Sequence, residues 1–321
     1  METPHPSPLA GTSPAVQRSV TGGSSRSSPW PAYVWPEGRS SAFCFTVDVD
    51  AHSPLLWNLR DEPAPRLLGH MEQRMFGPRV GIWRLLDLLE RFAIKGSFFV
   101  PAVVAETFPE LLPAFLDRGH EIGLHGYFHE LVAQVSDAEF TQALDASLEL
   151  FHRQVGGVPK GFRSPAWEMT AHMMAEVQKR GMYDSSLSGF DHPYTLGGVV
   201  EVPVQWVMDD AIYFKFLGGG VDQWHPSAPG PVLETWTSEW EMLHADGGLL
   251  MLTVHDWISG RAHRIRLLES LLDKVTREPG AWIATVGQVA LHHAQSVNHD
   301  RYVVPLQTPA PIAGRRFRSE D

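Results

Sequence analysis

Short apolar runs alternate with amphipathic segments from residue 41 to the neighbourhood of residue 300. The runs 41–50, 96–101, 120–125, 161–163, 249–254 and 282–285 read as strands, and 199–204 as extended chain. Between them, apolar positions recur at helical spacing. Ile82, Leu85, Leu86, Leu88 and Leu89 make one stripe over 81–93. Further helices are expected at 109–118, 136–155, 170–180, 231–245 and 264–277, with a last one after 285. Ser136 followed by Glu139 has the form of a capping box, and Thr170 opens the next helix. Strands alternating with helices imply a parallel sheet with crossover helices. Six or seven such units in about 260 residues suit a single α/β domain, a distorted (β/α)7-type barrel, better than an open sheet.

In a barrel, the residues just after the strands meet at one rim, where barrel enzymes carry their chemistry. Asp48, Asp50, His125, His129, Arg163 and His255 occupy such places. Asp48 and Asp50 share one face of their strand, because side chains alternate with period two. Two like charges on a buried face are costly unless a cation or donor sits between them. The plainer alternative is a strand running out into a solvated loop. His125 and His129 lie four apart after another strand; with a carboxylate they make a common face for a divalent metal. Singly, each would be an ordinary surface or hydrogen-bonded histidine. The adjacent His120–Glu121 pair does not extend this to a metalloprotease helix, because position 124 is Leu. Arg163, in Gly-Phe-Arg-Ser-Pro-Ala-Trp, is either a loop arginine or a partner able to hold Asp48 ionised and aimed. His255 ends the most apolar run of the chain, as a general acid or as a core histidine bonded to Asp256. Asp256 would orient the ring in both readings. Trp167 and Trp257 are candidate pocket walls, although most tryptophans simply pack.

The net charge of -11 argues against nucleic acid as the main partner. The single cysteine, Cys44, permits no intrachain disulfide and sits in an apolar run as a small core residue. No apolar run reaches the roughly 18 residues of a membrane span, and no apolar leader is evident, so a cytoplasmic location without membrane partners is expected. Residues 1–40, rich in Ser, Pro and Gly, are expected to be disordered, with Trp30, Tyr33 and Trp35 able to dock back. The barrel is expected over 41–303, followed by a flexible tail at 304–321.

Over about 41–290 the chain resembles the polysaccharide deacetylase (NodB homology) family. The resemblance rests on Thr-Val-Asp-Val-Asp, His-Gly-Tyr-x-His-Glu, Gly-Phe-Arg-Ser-Pro-Ala-Trp and Val-His-Asp, in that order along the chain. It implies a distorted barrel of about seven units. It also implies Asp50, His125 and His129 as ligands of a divalent ion, usually Zn2+ and sometimes Co2+ or another. Asp48 then corresponds to the catalytic base held by Arg163, His255 to the general acid, and the backbone N–H of Ala166 to an oxyanion donor. The sequence departs from many sugar deacetylases at Asp-Val-Asp, at Gly126 and Tyr127, and in a 51–80 segment carrying Trp57, Arg60, Asp61, His70 and Phe76. These features, with Trp206-Val-Met-Asp209-Asp210, resemble a branch of atypical peptidoglycan deacetylases, cyclic imide hydrolases and allantoinase-like enzymes. The implied activity is metal-dependent hydrolysis of a non-peptide carbon–nitrogen bond. A 51–80 segment able to lid the site, and no export leader, favour a small cytoplasmic substrate, an N-acyl compound or cyclic imide. An N-acetylated sugar, polysaccharide or peptidoglycan is the alternative, and a non-catalytic binding barrel the second. Ala166, Trp167, Trp257, Tyr127 and Trp57 are the candidate substrate contacts. Homo-oligomerisation is compatible with all of this.

Overall fold

The computed structural model describes residues 30–62, 68–218, 220, 222 and 224–307. Its strands are β1 (Ser41–Asp48), β2 (Ser97–Val100), β3 (Glu121–Leu124), β4 (Gly161–Phe162), β5 (Tyr183–Asp184), β6 (Tyr194–Leu196), β7 (Val199–Glu201), β8 (Leu249–His255), β9 (Ala281–Ile283) and β10 (Val303–Val304). All belong to one sheet, ordered β10-β6-β7-β5-β4-β3-β2-β1-β8, with β9 also on β1. Every pairing is parallel except the β6–β7 hairpin. β8 runs along one whole edge of β1, from Ala42 opposite Leu249 to Asp48 opposite His255. The other edge is divided: β9 takes Ser41–Phe43 and β2 takes Thr46–Asp48. β1 and β8 are buried throughout, as strands covered on both faces must be. Cys44 is a fully buried core residue of β1. Trp240 meets Phe43 edge-on at 6.0 Å beneath them. Burying a side chain such as Phe43 stabilises the fold by roughly 1.5–3 kcal/mol.

Among the described residues, no regular strand closes the sheet between β7 and β8. Instead the chain leaving β7 crosses that gap. Val202 N–H donates to the Asp184 carbonyl at 2.9 Å. The Gln205 side chain then takes the part of a peptide group, donating to Leu249 O at 3.0 Å and accepting from Met251 N–H at 3.1 Å. Asp209 bridges Thr253, and Asp210 N–H donates to Thr253 O. The backbone polar groups of β8 are thereby satisfied without a ladder strand, and Asp209 and Asp210 arrive beside its end.

The helices follow their local signals. Asp137–Val155 begins at Ser136 with the reciprocal capping box to Glu139, and Thr170 caps Ala171–Lys179. An additional helix, Ala102–Thr107, has an almost uniformly apolar sequence with no polar face to betray its period; Ala102–Ala105 are buried. The 51–80 segment forms helices Ser53–Asn58 and Leu68–Phe76 and a wide π turn, Gly77–Gly81; residues 63–67 lie outside those described. The π turn packs on the Asp256–Ser259 helix with no space for side chains. A Cβ on Gly81 would lie 2.0 Å from the Asp256 carbonyl oxygen, and one on Gly260 2.3 Å from the Gly81 Cα.

Packing begins before residue 41. The compact unit starts at Ala32. Tyr33 and Trp35 are buried, Trp35 Nε1 donates to Gly247 O, and Val34 N–H donates to Asn298 Oδ1. Residues 1–29 and 308–321, which hold most of the expected disordered segment and tail, lie outside the described residues. No described helix is long and apolar enough to cross a membrane.

Candidate active site

Asp48 ends β1 and Asp50 follows two residues on; His125 follows β3, Arg163 follows β4, and His255 ends β8. Parallel strands carry these residues to one end of the sheet, and the structure brings all of them and His129 together. Asp50 Oδ1 lies 3.6 Å from His125 Nε2 and 3.6 Å from His129 Nε2. These three donor atoms all fall within 4.8 Å of one another. Although buried, Asp50 Oδ1 has no hydrogen-bond partner. His125 Nδ1 sits 2.8 Å from the Arg163 carbonyl oxygen. A carbonyl only accepts, so Nδ1 carries a proton there, and Nε2 is the ring atom turned toward Asp50. Burial pushes His129 down to about 4 despite the charge of Asp50. Burial works to raise Asp50, but His129, His255, His125 and Arg74 outweigh it and leave the carboxyl at about 2. An ionised carboxylate beside an unprotonated His129, with the His125 Nε2 close by and an orphaned buried oxygen between the two rings, fits a divalent cation.

Backbone strain collects around this face. Ala51, His129, Ala166 and Trp167 have φ between 43° and 59°, four of the five such non-glycine residues among those described. Arg74 is a further neighbour that sequence reasoning missed. Its guanidinium is buried, 4.0 Å from Asp50 Oδ2, 4.5 Å over the Trp257 ring and 3.3 Å from the Ala51 carbonyl oxygen.

Two arms flank the face. On one, Arg163 Nη1 donates to Asp48 Oδ1 at 2.8 Å and to Thr46 Oγ1 at 2.9 Å. Its Nε and Nη2 are anchored on Ser185, and its plane lies 4.1 Å over Phe99. Burial alone would raise Asp48; Arg163, then His125 and His255, hold it below the ordinary carboxylate range. Its free Oδ2 lies 3.8 Å from His125 Nε2. On the other arm, His255 Nδ1 is 2.7 Å from Asp210 Oδ1, and His255 N–H donates to Asp210 Oδ2 at 3.0 Å. Burial opposes charge on this ring, but Asp210 and then Asp50 carry it well above an ordinary histidine. Its Nε2 faces Asp50 Oδ2 at 3.8 Å.

Asp256 does not orient His255, contrary to the sequence expectation. It starts the helix after β8, and its Oδ1 accepts from Ala51 N–H at 3.3 Å. Burial and then Asp50 raise it to about 7. The orienting residue is Asp210, delivered across the Gln205 seam; the Asp209-Asp210 pair after an extended run was its sequence signal.

The expected substrate contacts are placed less uniformly. Ala166 and Trp167 form a tight turn after Arg163, with Trp167 buried 4.3 Å from the Trp206 ring. Tyr127 is half-buried and its hydroxyl donates to Glu106. Trp57 is half-buried, donates to Gln134 and is covered by Arg60 at 4.0 Å. Trp257 is buried beneath Arg74.

The sequence model of the family described as polysaccharide deacetylase matches residues 76–184. A solved Mycobacterium smegmatis structure, described provisionally as a polysaccharide deacetylase, is 32% identical with a TM-score of 0.79; the match covers 88% of this chain and 99% of that one. This chain belongs to the polysaccharide deacetylase family. A peptidoglycan deacetylase of Helicobacter pylori is 26% identical, over 77% of this chain and 94% of its own length. A peptidoglycan deacetylase-like protein of Gibberella zeae is 29% identical, over 74% and 81%. An allantoinase structure at 19% identity and a TM-score of 0.73 shares the fold. This chain is therefore a hydrolase of carbon–nitrogen bonds other than peptide bonds, in a family whose amide hydrolysis is metal-dependent.

Proposed function

We propose that this deacetylase removes the N-acyl group from an amino-sugar unit of a glycan, with Asp48 as base and His255 as acid. The observation that carries the reading is the opposite poise of two buried arms around one orphaned oxygen. Asp48 is held ionised, His255 is held protonated with its Nε2 facing Asp50 Oδ2, and Asp50 Oδ1, between the His125 and His129 rings, has no partner. A divalent ion held by Asp50, His125 and His129, with zinc the ordinary choice for such donors, would supply Lewis-acid polarisation and lower the pKa of a water. Asp48, aimed by Arg163, accepts a proton from the attacking water. The Ala166 N–H, fixed in its left-handed turn, donates to the oxygen that gains negative charge. His255 gives its proton to the leaving nitrogen and is recharged against Asp210. Acetate and a free amine result.

The glycan side of the proposal is supported by the two relatives described as peptidoglycan deacetylase or like it, which this chain spans for 94% and 81% of their lengths. A small cytoplasmic N-acyl compound or cyclic imide is the second reading. It is favoured by depth: Asp48 and His125 are 1% exposed and His255 8%, so only a narrow group reaches them. The deciding experiment offers zinc-loaded protein an N-acetylglucosamine oligomer and a cyclic imide. Acetate release from the oligomer supports the proposal. Ring opening without acetate release moves the assignment to the second reading, and neither reaction from metal-bearing protein leaves a binding barrel.

A further inference from the structure

A second cavity of about 510 Å³ is lined by Phe76, Phe214 and Trp257 and by three guanidiniums, those of Arg84, Arg261 and Arg264. None of the six residues around the metal-ligand face lines it. In a chain of net charge -11, no carboxylate among the described residues lines it either. Among the described residues, none of the three arginines forms an ion pair.

The arginines are stacked on the aromatic walls. Arg261 lies 3.6 Å over Phe76 and Arg264 lies 4.7 Å over Phe214. Stacking occupies the flat face of a guanidinium and leaves its N–H fork along the edge. Few of those N–H groups are in use. Arg84 donates to Gly260 O, Arg261 to Gln73 O, and Arg264 to Ile258 O and Phe214 O. A guanidinium carries five N–H groups, so most remain for a ligand. The N-terminal turn of the helix Ala262–Arg277 opens on the same cavity and adds partial positive charge. Burial, and after it the charge of Arg84, pushes Arg261 below its ordinary value. Asp210 offsets part of the burial of Arg264, but no acid forms an ion pair with any of the three, and an anion among such like charges relieves their repulsion.

We propose that this cavity binds a small organic oxyanion, a phosphate or carboxylate carried on a planar apolar body. The arginine forks suit a bidentate oxyanion, and the aromatic walls suit the body. The site is independent of the amide hydrolysis argued above.

Calorimetric titration of the full-length, zinc-loaded protein tests this with phenyl phosphate, benzoate, inorganic phosphate and benzyl alcohol. Saturable binding is expected for phenyl phosphate or benzoate, at least tenfold tighter than for inorganic phosphate, and none for benzyl alcohol. The stronger of the first two decides between phosphate and carboxylate. Arg84→Met and Arg261→Met are each expected to weaken that binding at least tenfold, while His129→Ala leaves it within twofold. Absence of saturable binding of both aromatic anions to the wild-type chain overturns the proposal, whatever the variants do. Binding lost in His129→Ala but kept in Arg261→Met overturns it as well, by placing the anion on the metal-ligand face.

Discussion

Two clusters of aspartate and histidine stand at the same end of the sheet, and they are built in opposite ways. Each could be drawn as a three-ligand metal set: Asp50, His125 and His129 in one, Asp209, Asp210 and His255 in the other. In the first, the carboxylate oxygen between the rings has no donor and His129 is pushed to about 4. In the second, the charges are met from within. Asp210 takes both the ring and the backbone N–H of His255 and also the Ser259 hydroxyl, while Asp209 accepts from Ala211 N–H. His255 is carried well above its ordinary value, and burial raises Asp209 to about 7. Residue type and proximity are therefore insufficient to mark a metal site. The cluster that lacks a proton or donor of its own is the one that fits an external cation; the other already holds its cation as an imidazolium.

The largest expected effect separates the two clusters directly. His125→Ala and His129→Ala should lower bound metal from about one ion per chain to near none by elemental analysis, and Asp210→Asn should retain it. Comparable metal loss in Asp210→Asn would erase the distinction. Next in size, Asp48→Asn should keep the metal while kcat falls by about 10²–10⁴, because only the proton acceptor is lost. A smaller effect is expected from Asp210→Asn on the pH–rate profile. Burial lowers His255 and Asp210 is the chief group raising it, so loss of that charge should shift the alkaline limb to lower pH. An unmoved alkaline limb would assign the acid to another group.

The smallest effect concerns a pair that needs neither metal nor imidazole. Asp184 and Glu201 are ladder partners on β5 and β7, both fully buried. Burial, and then Asp184, raises Glu201 well above its ordinary 4.5. A raised folded value contributes stability that is complete below the unfolded value and is lost as pH rises through the folded one. Glu201→Gln keeps an acceptor for Ser186 and Leu187 N–H and removes the titration. Wild-type Tm should fall on going from pH 5 to pH 9 by about 2–4 °C more than that of the variant. Parallel curves would show that the pair does not share a proton.

The strands that end in Asp48, His125, Arg163 and His255 were legible because buried parallel strands read as apolar runs and their last residues reach one rim. The caps at Ser136 and Thr170 were equally plain, being local. Asp210 was not, because it meets His255 across 45 residues through a seam set by one glutamine side chain. Asp256 was the wrong choice for the opposite reason. Adjacency in sequence suggested a bond, but the first turn of a helix sends its carboxylate to Ala51. Arg74 reads as a surface charge in a segment that resembles an insertion; only the Trp257 ring and Asp50 make its burial intelligible.

The pairing of β1 with β8 has a consequence for time. Thr46 and Thr253 touch across 207 residues, and Asp48, Asp50 and His255 depend on that contact. Contacts of such long sequence separation form late, after the chain entropy of closing the loop has been overcome. At a synthesis rate of about 5–20 residues per second, the segment bearing both aspartates emerges from the ribosome roughly ten seconds or more before its partner. For that interval its apolar edge is unpaired and needs shielding, and neither aspartate can face His255. The nascent chain thus carries its aspartates as an unfinished set, and the cluster assembles only once β8 has been made.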